Sequence, residues 1–279
     1  MARVVVLTPN PAIDVTYRVE RQLVGETVRV QRAERRPGGK GLNVVRVLRA
    51  LGVDATSVQP LGGASGDWIR GQLMSAGIAS VTVPAPGATR TTVAVVDDIA
   101  HPTLLAEPGD PLDDRAWTGL EDAVRRHCEP GGYLVVAGSF PPATDASRVA
   151  AIVAAGRSAG ATVVVDASGS ALIAAADAGA QLLTPNESEL LDATGADDLE
   201  AGIAALLAQG VDAVVVSRGS RGLLLQTADG TRRTQAAVPG ISGNPTGAGD
   251  AATAGLVAAL AAGLPLPAAL RRAAVVGAA

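Results

Sequence analysis

Short runs of β-branched residues and leucine recur along the chain with helix-length segments between them. That alternation restricts the fold more than any other feature. The runs are residues 4–7, 133–137, 162–165, 182–183, 213–216 and 223–225. Most are nearly continuous in apolar residues, the pattern of strands covered on both faces. Residues 42–51 place Val44, Val45, Leu48 and Leu51 on one side and Arg46 and Arg49 on another, and the pattern stops at Gly52. Residues 146–158 and 199–209 behave alike, the second with Asp197 and Glu200 at its start and Gly210 after it. Strands alternating with helices predict an α/β fold with a doubly wound, mainly parallel sheet.

Two stretches break that rhythm. Polar and apolar residues alternate across residues 13–35, notably Thr27-Val28-Arg29-Val30-Gln31, and again across residues 88–107 around 90–98. Alternation marks strands with one wet face. These stretches are read as a small antiparallel flap, or lid, with segments at about 11–35 and 87–107; an ordinary edge hairpin carries the same periodicity. With no internal repeat and no long low-complexity linker, residues 1–279 are expected to form a single domain.

Composition excludes several classes of function. Hydrophobic residues make up 48% but aromatics only 2%, so the core must be built from Val, Leu, Ile and close helix–sheet contacts. A net charge of −4 gives no general nucleic-acid surface, although a local basic cluster can still hold a small anion. The single cysteine, Cys128, excludes an intrachain disulfide and a cysteine-based zinc site, and reads as an inert thiol. His101 and His127, the only histidines, are too isolated to assign. The opening apolar run meets a proline too soon for a signal peptide, and the apolar stretch 251–264 is too short to span a bilayer. The cytoplasm is the expected compartment.

Glycine-rich helix starts carry the chemistry. Asn244-Pro245-Thr246-Gly247-Ala248-Gly249-Asp250 precedes an Ala/Leu helix. Backbone N–H groups there point at an anion, favoured by the helix dipole. An aspartate at that entry can accept a hydrogen bond from a substrate hydroxyl facing the same anion, which suits phosphoryl transfer. The dipole is expected to weaken Asp250 as a base. By itself, a glycine turn with an acidic cap is also a common structural motif. Pro37-Gly38-Gly39-Lys40-Gly41-Leu42-Asn43 is a second such start, either a seat for a sugar with Lys40 and Asn43 as donors or a flexible turn with a solvated lysine. It is not a P-loop, because no Ser/Thr follows the lysine at the required place. Asn186-Glu187-Ser188-Glu189 either holds the water shell of magnesium bound to nucleotide phosphates or simply caps a helix. Ser217-Arg218-Gly219-Ser220-Arg221-Gly222 lies against a nucleotide phosphate or forms a tight turn.

The order of these segments is more informative than any one of them. Thr8-Pro9-Asn10-Pro11-Ala12-Ile13-Asp14, PGGKGLN, Thr89-Arg90 and Glu107-Pro108-Gly109 are followed by Ala137-Gly138-Ser139-Phe140-Pro141-Pro142 and Asp166-Ala167-Ser168-Gly169. PNESEL, SRGSRG and NPTGAGDA complete the series. The series resembles the PfkB carbohydrate kinase family from residue 4 to about 263. The NPAID opening with an arginine in the second lid segment resembles the 1-phosphofructokinase and tagatose-6-phosphate kinase branch.

The resemblance implies a ribokinase-like fold and an ATP-dependent kinase that uses Mg2+ and takes a ketohexose phosphate as acceptor, with fructose 1-phosphate ahead of tagatose 6-phosphate and fructose 6-phosphate. It implies that Asp14, Gly39 and Asn43 bind sugar hydroxyls, and that Lys40, Arg90 and Ser139 meet the phosphate already on the substrate. Glu189 acts on the magnesium–phosphate water network with Asn186 beside it, and Ser217, Gly219 and Gly222 border the nucleotide. Gly247, Ala248 and Gly249 form the anion hole and Asp250 is the base. A homodimer through the lid is also implied. Where the branch carries Arg-x-Asn, this chain reads Arg90-Thr91-Thr92, so one sugar contact is expected to change. Family members continue past the final helix in a tail that helps wall the adenine site, whereas this sequence ends at Ala279. A kinase for an unphosphorylated sugar or nucleoside, or a non-catalytic sugar-phosphate sensor, are the competing readings. A second cation at Arg90 argues against the first, and the intact GAG loop with Asp250 argues against the second.

Overall fold

The structure, a computed structural model, describes residues 1–99, 102–240 and 247–278. In chain order the elements are β1 (Val4–Leu7), β2 (Ala12–Arg18), β3 (Arg32–Gly38), α1 (Lys40–Ala50), β4 (Ala55–Leu61), α2 (Gly63–Ser75) and β5 (Ser80–Pro84). Then follow β6 (Arg90–Val96), β7 (Thr103–Ala106), α3 (Asp114–His127), β8 (Tyr133–Ala137), α4 (Ala146–Ser158), β9 (Thr162–Asp166) and α5 (Ser170–Asp177). The remainder comprises β10 (Leu182–Leu183), α6 (Glu187–Thr194), α7 (Leu199–Ala208), β11 (Ala213–Ser217), β12 (Leu223–Thr227), β13 (Arg232–Gln235), α8 (Ala248–Ala261) and α9 (Leu266–Gly277).

Among the described residues the main sheet runs β13-β12-β11-β10-β9-β8-β1-β4-β5. Every pairing from β11 to β5 is parallel, and β12 and β13 add an antiparallel edge. The apolar runs have the physical reason expected of them. In β1, Val5 and Leu7 join a core with residues of α3, α4, α5, α6 and α7, while Val4 and Val6 join a second core with α1, α8 and α9. Each face of the sheet thus has its own helical layer, as a doubly wound sheet requires. Strand order reverses between β1 and β8, so the crevice beyond their carboxyl ends is the place where such sheets bind ligands.

The second sheet runs β3-β2-β6-β7. It differs from the expected antiparallel flap, because β2 and β6 at its centre pair in parallel. The chain between them is long enough to return in the same direction, passing through α1, β4, α2 and β5. The expected strand at Thr27–Gln31 is also absent. β2 ends at Arg18, Val19 N donates to Val96 O and Gln31 N to Arg18 O, and residues 20–30 between them form no strand. Register sets Asp14 opposite Arg36 on one side and Thr92 on the other, so these three share a lid face.

Smaller corrections follow from capping. The cap of α7 is Asp198, whose carboxylate accepts from Ala201 N at 2.8 Å, rather than Asp197. Burial pushes the Cys128 thiol up to about 11, in keeping with an inert side chain. Among the described residues no helix is long and apolar enough to cross a membrane.

Candidate active site

The crevice is assembled from loops that leave the carboxyl ends of β1 and β8. Asn10, after β1, is buried, and its Nδ2 donates to Pro108 O at 3.0 Å and more weakly to Ser139 Oγ at 3.4 Å. Its carbonyl accepts from Arg90 Nε at 3.2 Å and Nη2 at 3.1 Å, and Arg90 Nη1 donates to Glu107 O at 2.9 Å. Backbone carbonyls hold the Arg90 guanidinium by hydrogen bonds, while the Asp14 and Glu107 carboxylates lie within electrostatic reach of it. Three of its five N–H groups are used, which fixes the plane of the fork.

Asp14 projects from β2 over the start of α1. A Cβ built on Gly38 would overlap the Asp14 carboxylate, so only glycine permits this approach. Burial raises the Asp14 pKa, opposed by Arg46, by a hydrogen bond from the Gly39 backbone and by Arg90.

Gly247 precedes α8 with φ +87, a left-handed conformation suited to glycine. The first intrahelical bond runs from Ala251 N to Gly247 O. The N–H groups of Ala248, Gly249 and Asp250 therefore have no acceptor within the helix, as at any helix start. Asp250 is only 7% exposed, and Asn43 Nδ2 donates to its Oδ2 at 2.7 Å. Burial pushes Asp250 up to about 7; the neighbouring Asp166 and Asp14 add to the rise, while Asn43 and Lys40 oppose it. The helix dipole was expected to dominate here, but loss of solvent outweighs it.

Lys40 departs from its expected place. Its ammonium lies 2.8 Å from Asp166 Oδ1 and 2.9 Å from Glu189 Oε1, not beside Arg90. Asp166 is 3% exposed and also accepts from Thr253 Oγ1 at 3.2 Å, whose hydroxyl reaches Thr184 at 3.4 Å. Despite burial, the two carboxylates raise the Lys40 pKa and keep it charged. Glu189 serves two ends at once, because its Oε2 accepts from Asn186 N at 2.9 Å while Asn186 Oδ1 accepts from Glu189 N at 2.9 Å. The capping box is present, and Glu189 still reaches Lys40 with its other oxygen.

Asn186 and Ser217 are bridged, with Ser217 N donating to Pro185 O at 3.1 Å. Gly219 opens a 3-10 turn ending at Arg221, and Gly222 leads into β12. Arg221 pairs with Glu187 of α6, tying this turn to the Asn186–Glu189 segment. The proposed nucleotide residues thus border Glu189, at the carboxyl ends of β10 and β11.

The structure thus pairs Lys40 with Asp166 and Glu189, Asn43 with Asp250, and Asp14 with the Gly39 backbone, all around the start of α1, and joins Arg90 and Ser139 through Asn10. Asn244, Pro245, Thr246 and His101 lie outside the described residues. Sequence reasoning gave no role to Asn10, Asp166, Thr253 or Arg46. For Asp166 a signal existed, since a carboxylate that ends a buried parallel strand sits at the sheet's binding edge. Thr253 carried none, being one polar residue in an Ala/Leu helix.

Comparison with known proteins gives the family. The profile of the pfkB family carbohydrate kinases matches residues 3–279. A 1-phosphofructokinase of Vibrio cholerae is 30% identical over 227 residues, covering 80% of this chain and 72% of the relative. The ATP-dependent 6-phosphofructokinase isozyme 2 of Escherichia coli is 32% identical over 260 residues, covering 90% and 83%. The structure of phosphofructokinase-2 from Escherichia coli in complex with fructose-6-phosphate superimposes with a TM-score of 0.92 at 28% identity, covering 100% of this chain and 93% of that one.

Proposed function

This chain belongs to the pfkB family carbohydrate kinases, and we propose from its site that it transfers the γ-phosphoryl group of ATP to a primary hydroxyl of a ketohexose phosphate. The observation that carries this reading is the position of Asp250, a buried carboxylate with a pKa raised to about 7, beside the first N–H groups of α8, which have no acceptor within the helix. A base and an anion hole side by side are what in-line transfer needs.

Asp14, Gly39 and Asn43 hold and orient the sugar hydroxyls, and Arg90 with Ser139 receives the phosphate already on the acceptor. Asp250 takes the proton of the attacking hydroxyl, while the N–H groups of Gly247, Ala248 and Gly249 face the charge on the transferring group. Lys40, held between Asp166 and Glu189, supplies positive charge on the nucleotide side rather than at the substrate phosphate. Ser217, Gly219, Gly222 and Asn186 border the nucleotide.

Among the described residues no group of three or more Asp, Glu, His or Cys gathers to hold a metal. That suits magnesium that arrives on the nucleotide and keeps most of its own waters, which Glu189 and Asn186 would contact. When bound, it would neutralise phosphate charge.

Fructose 1-phosphate is the acceptor we favour, on the NPAID opening and the Vibrio cholerae relative. Fructose 6-phosphate is the second reading, supported by the close superposition on the Escherichia coli enzyme bound to that sugar. Coupled ADP-release assays with fructose 1-phosphate, fructose 6-phosphate, tagatose 6-phosphate and fructose test the assignment. Turnover of fructose but of none of the sugar phosphates would sink the sugar-phosphate reading, and no acceptor-dependent ADP release with any of the four would sink the kinase reading.

A further inference from the structure

Lys40, Asn43 and Arg46 recur every three residues along α1, so each lies within side-chain reach of the next. Lys40 and Asn43 have places in the site already, whereas Arg46 has none. Its side chain is exposed, and its Nη2 donates to Asn43 Oδ1 at 2.6 Å. Asn43 Nδ2 then donates to Asp250 Oδ2 at 2.7 Å. A surface arginine is thus two hydrogen bonds from the buried carboxylate.

The chemistry of the three groups gives this chain a direction. A primary amide has one accepting end and one donating end of nearly the same shape, so it can sit either way round. A guanidinium only donates. With Arg46 in place, Asn43 must turn its oxygen outward to the guanidinium and its NH2 inward to Asp250. Flipped, the amide would set its oxygen against a buried carboxylate oxygen, leaving two acceptors face to face and unsatisfied. The inward NH2 holds one carboxylate oxygen of Asp250 and so fixes the rotation of the other. No other side chain of α1 supplies that outward donor, because Lys40 is taken by Asp166 and Glu189.

We propose that Arg46 is a positioning residue for phosphoryl transfer, fixing the Asn43 amide so that Asp250 presents its second oxygen to the acceptor hydroxyl. The proposal rests on Asp250 being the base assigned above. In that step the acceptor oxygen bonds to the γ-phosphorus as the bond from that phosphorus to the bridging oxygen breaks. The hydroxyl proton passes to Asp250, and ADP leaves with the electron pair of the broken bond. Arg46 touches none of these atoms; its hydrogen bond to Asn43 is the contact that positions the base, while its charge also lies near Asp14 and Asp250.

The test is a double-mutant cycle on the full chain, with Arg46→Ala, Asn43→Ala and the two combined, alongside Arg46→Lys and Asp250→Asn. Arg46→Ala should lower kcat by about 10- to 100-fold, the usual scale for a reacting group left loosely placed, while the KM for ATP stays at its wild-type value. Arg46→Lys should recover most of the loss, because an ammonium also donates to Asn43 Oδ1. In the Asn43→Ala background, removing Arg46 should cost no further kcat, since the group it orients is gone. Unchanged kcat in the folded Arg46→Ala protein would overturn the proposal, as would a full additional loss in the double variant. A merely structural arginine would lower the melting temperature and act in both backgrounds alike. If Arg46→Ala is normal while Asp250→Asn is inactive, only the role of Arg46 fails. If Asp250→Asn keeps wild-type kcat, the assigned base fails and this proposal with it.

Discussion

Asn43 Nδ2 donates to the Asp250 carboxylate across 207 positions of sequence, joining the start of α1 to the start of α8. The bond holds the carboxylate beside the helix N–H groups without neutralising it. Replacing Asp250 with Asn keeps the size and an acceptor for Asn43 but cannot take up a proton. kcat should fall roughly 10²–10⁴-fold, the range for loss of a general base, with little change in the KM for the sugar phosphate. Steady-state kinetics on the folded variant check this. Near-normal kcat would remove Asp250 from the mechanism.

The raised pKa also predicts a pH profile. A base works in its deprotonated form, so kcat/KM should climb with pH through about 7 and level off above it. Burial comes first among the causes, with Asp166 and Asp14 adding repulsion and Asn43 and Lys40 opposing. A profile already flat by pH 5 would mean that water reaches the carboxylate freely and that the burial argument is wrong.

Stability should depend on pH in the opposite sense. The folded chain holds a proton on Asp250 up to about pH 7, whereas the ordinary value is 3.8. Between those values the folded state binds more protons than the unfolded one, so stability attributable to this group is present at low pH and is lost as pH rises. Asp250→Asn removes the buried charge, and its advantage over wild type should grow by up to about 1.4 kcal/mol per pH unit in that window. Melting curves of both proteins at pH 5 and pH 8 check it. An equal difference at the two values would show that the group ionises alike in both states.

Much of this was legible because buried parallel strands write themselves as apolar runs. β1, β8, β9, β10, β11 and β12 could be placed that way. β4 and β5 could not, since β4 buries Ser57 and Gln59, which satisfy each other and Ser80 through hydrogen bonds at 2.5 and 2.7 Å. A polar network inside a strand looks like a loop to any apolar-run criterion. β3, with three arginines among seven residues, is equally silent, because its pairing with β2 depends on register rather than burial. In the site, glycine-rich helix starts were readable from local chemistry. The partners of Lys40 were not, since Asp166 and Glu189 approach it from 126 and 149 positions away.

The lid gives a prediction about assembly. Leu23, Val24, Val30, Leu104 and Leu105 in and beside the second sheet are exposed, more apolar surface than a four-stranded sheet keeps wet without cost. We expect two copies to pair through their lids. Light scattering at micromolar concentration should give the mass of a dimer, and Leu105→Asp should return it to a monomer with the main sheet still folded. A monomer for the unmodified chain would count against lid pairing.

Arg90 is the residue proposed to set the charge of the substrate. Carbonyls of Asn10 and Glu107 hold its fork and leave two N–H groups for a phosphate. Charge-assisted hydrogen bonds to a phosphate contribute about 1.5–3 kcal/mol each. By the arithmetic of about 1.4 kcal/mol per decade, Arg90→Ala should raise the KM for the sugar phosphate roughly 10- to 100-fold. The KM for ATP should barely move, because the residues proposed for the nucleotide belong to the ends of β10 and β11. Added salt should weaken sugar-phosphate binding more steeply in the wild type than in the variant. Arg90→Lys should rescue little, since one ammonium cannot satisfy both carbonyls and a phosphate in a fixed plane. Slow turnover of unphosphorylated fructose, where measurable, should be the same in all three proteins, which separates loss of the phosphate contact from damage to the Asn10 loop. A variant that binds the sugar phosphate normally would end the sugar-phosphate assignment while leaving Asp250 and the phosphoryl-transfer chemistry intact.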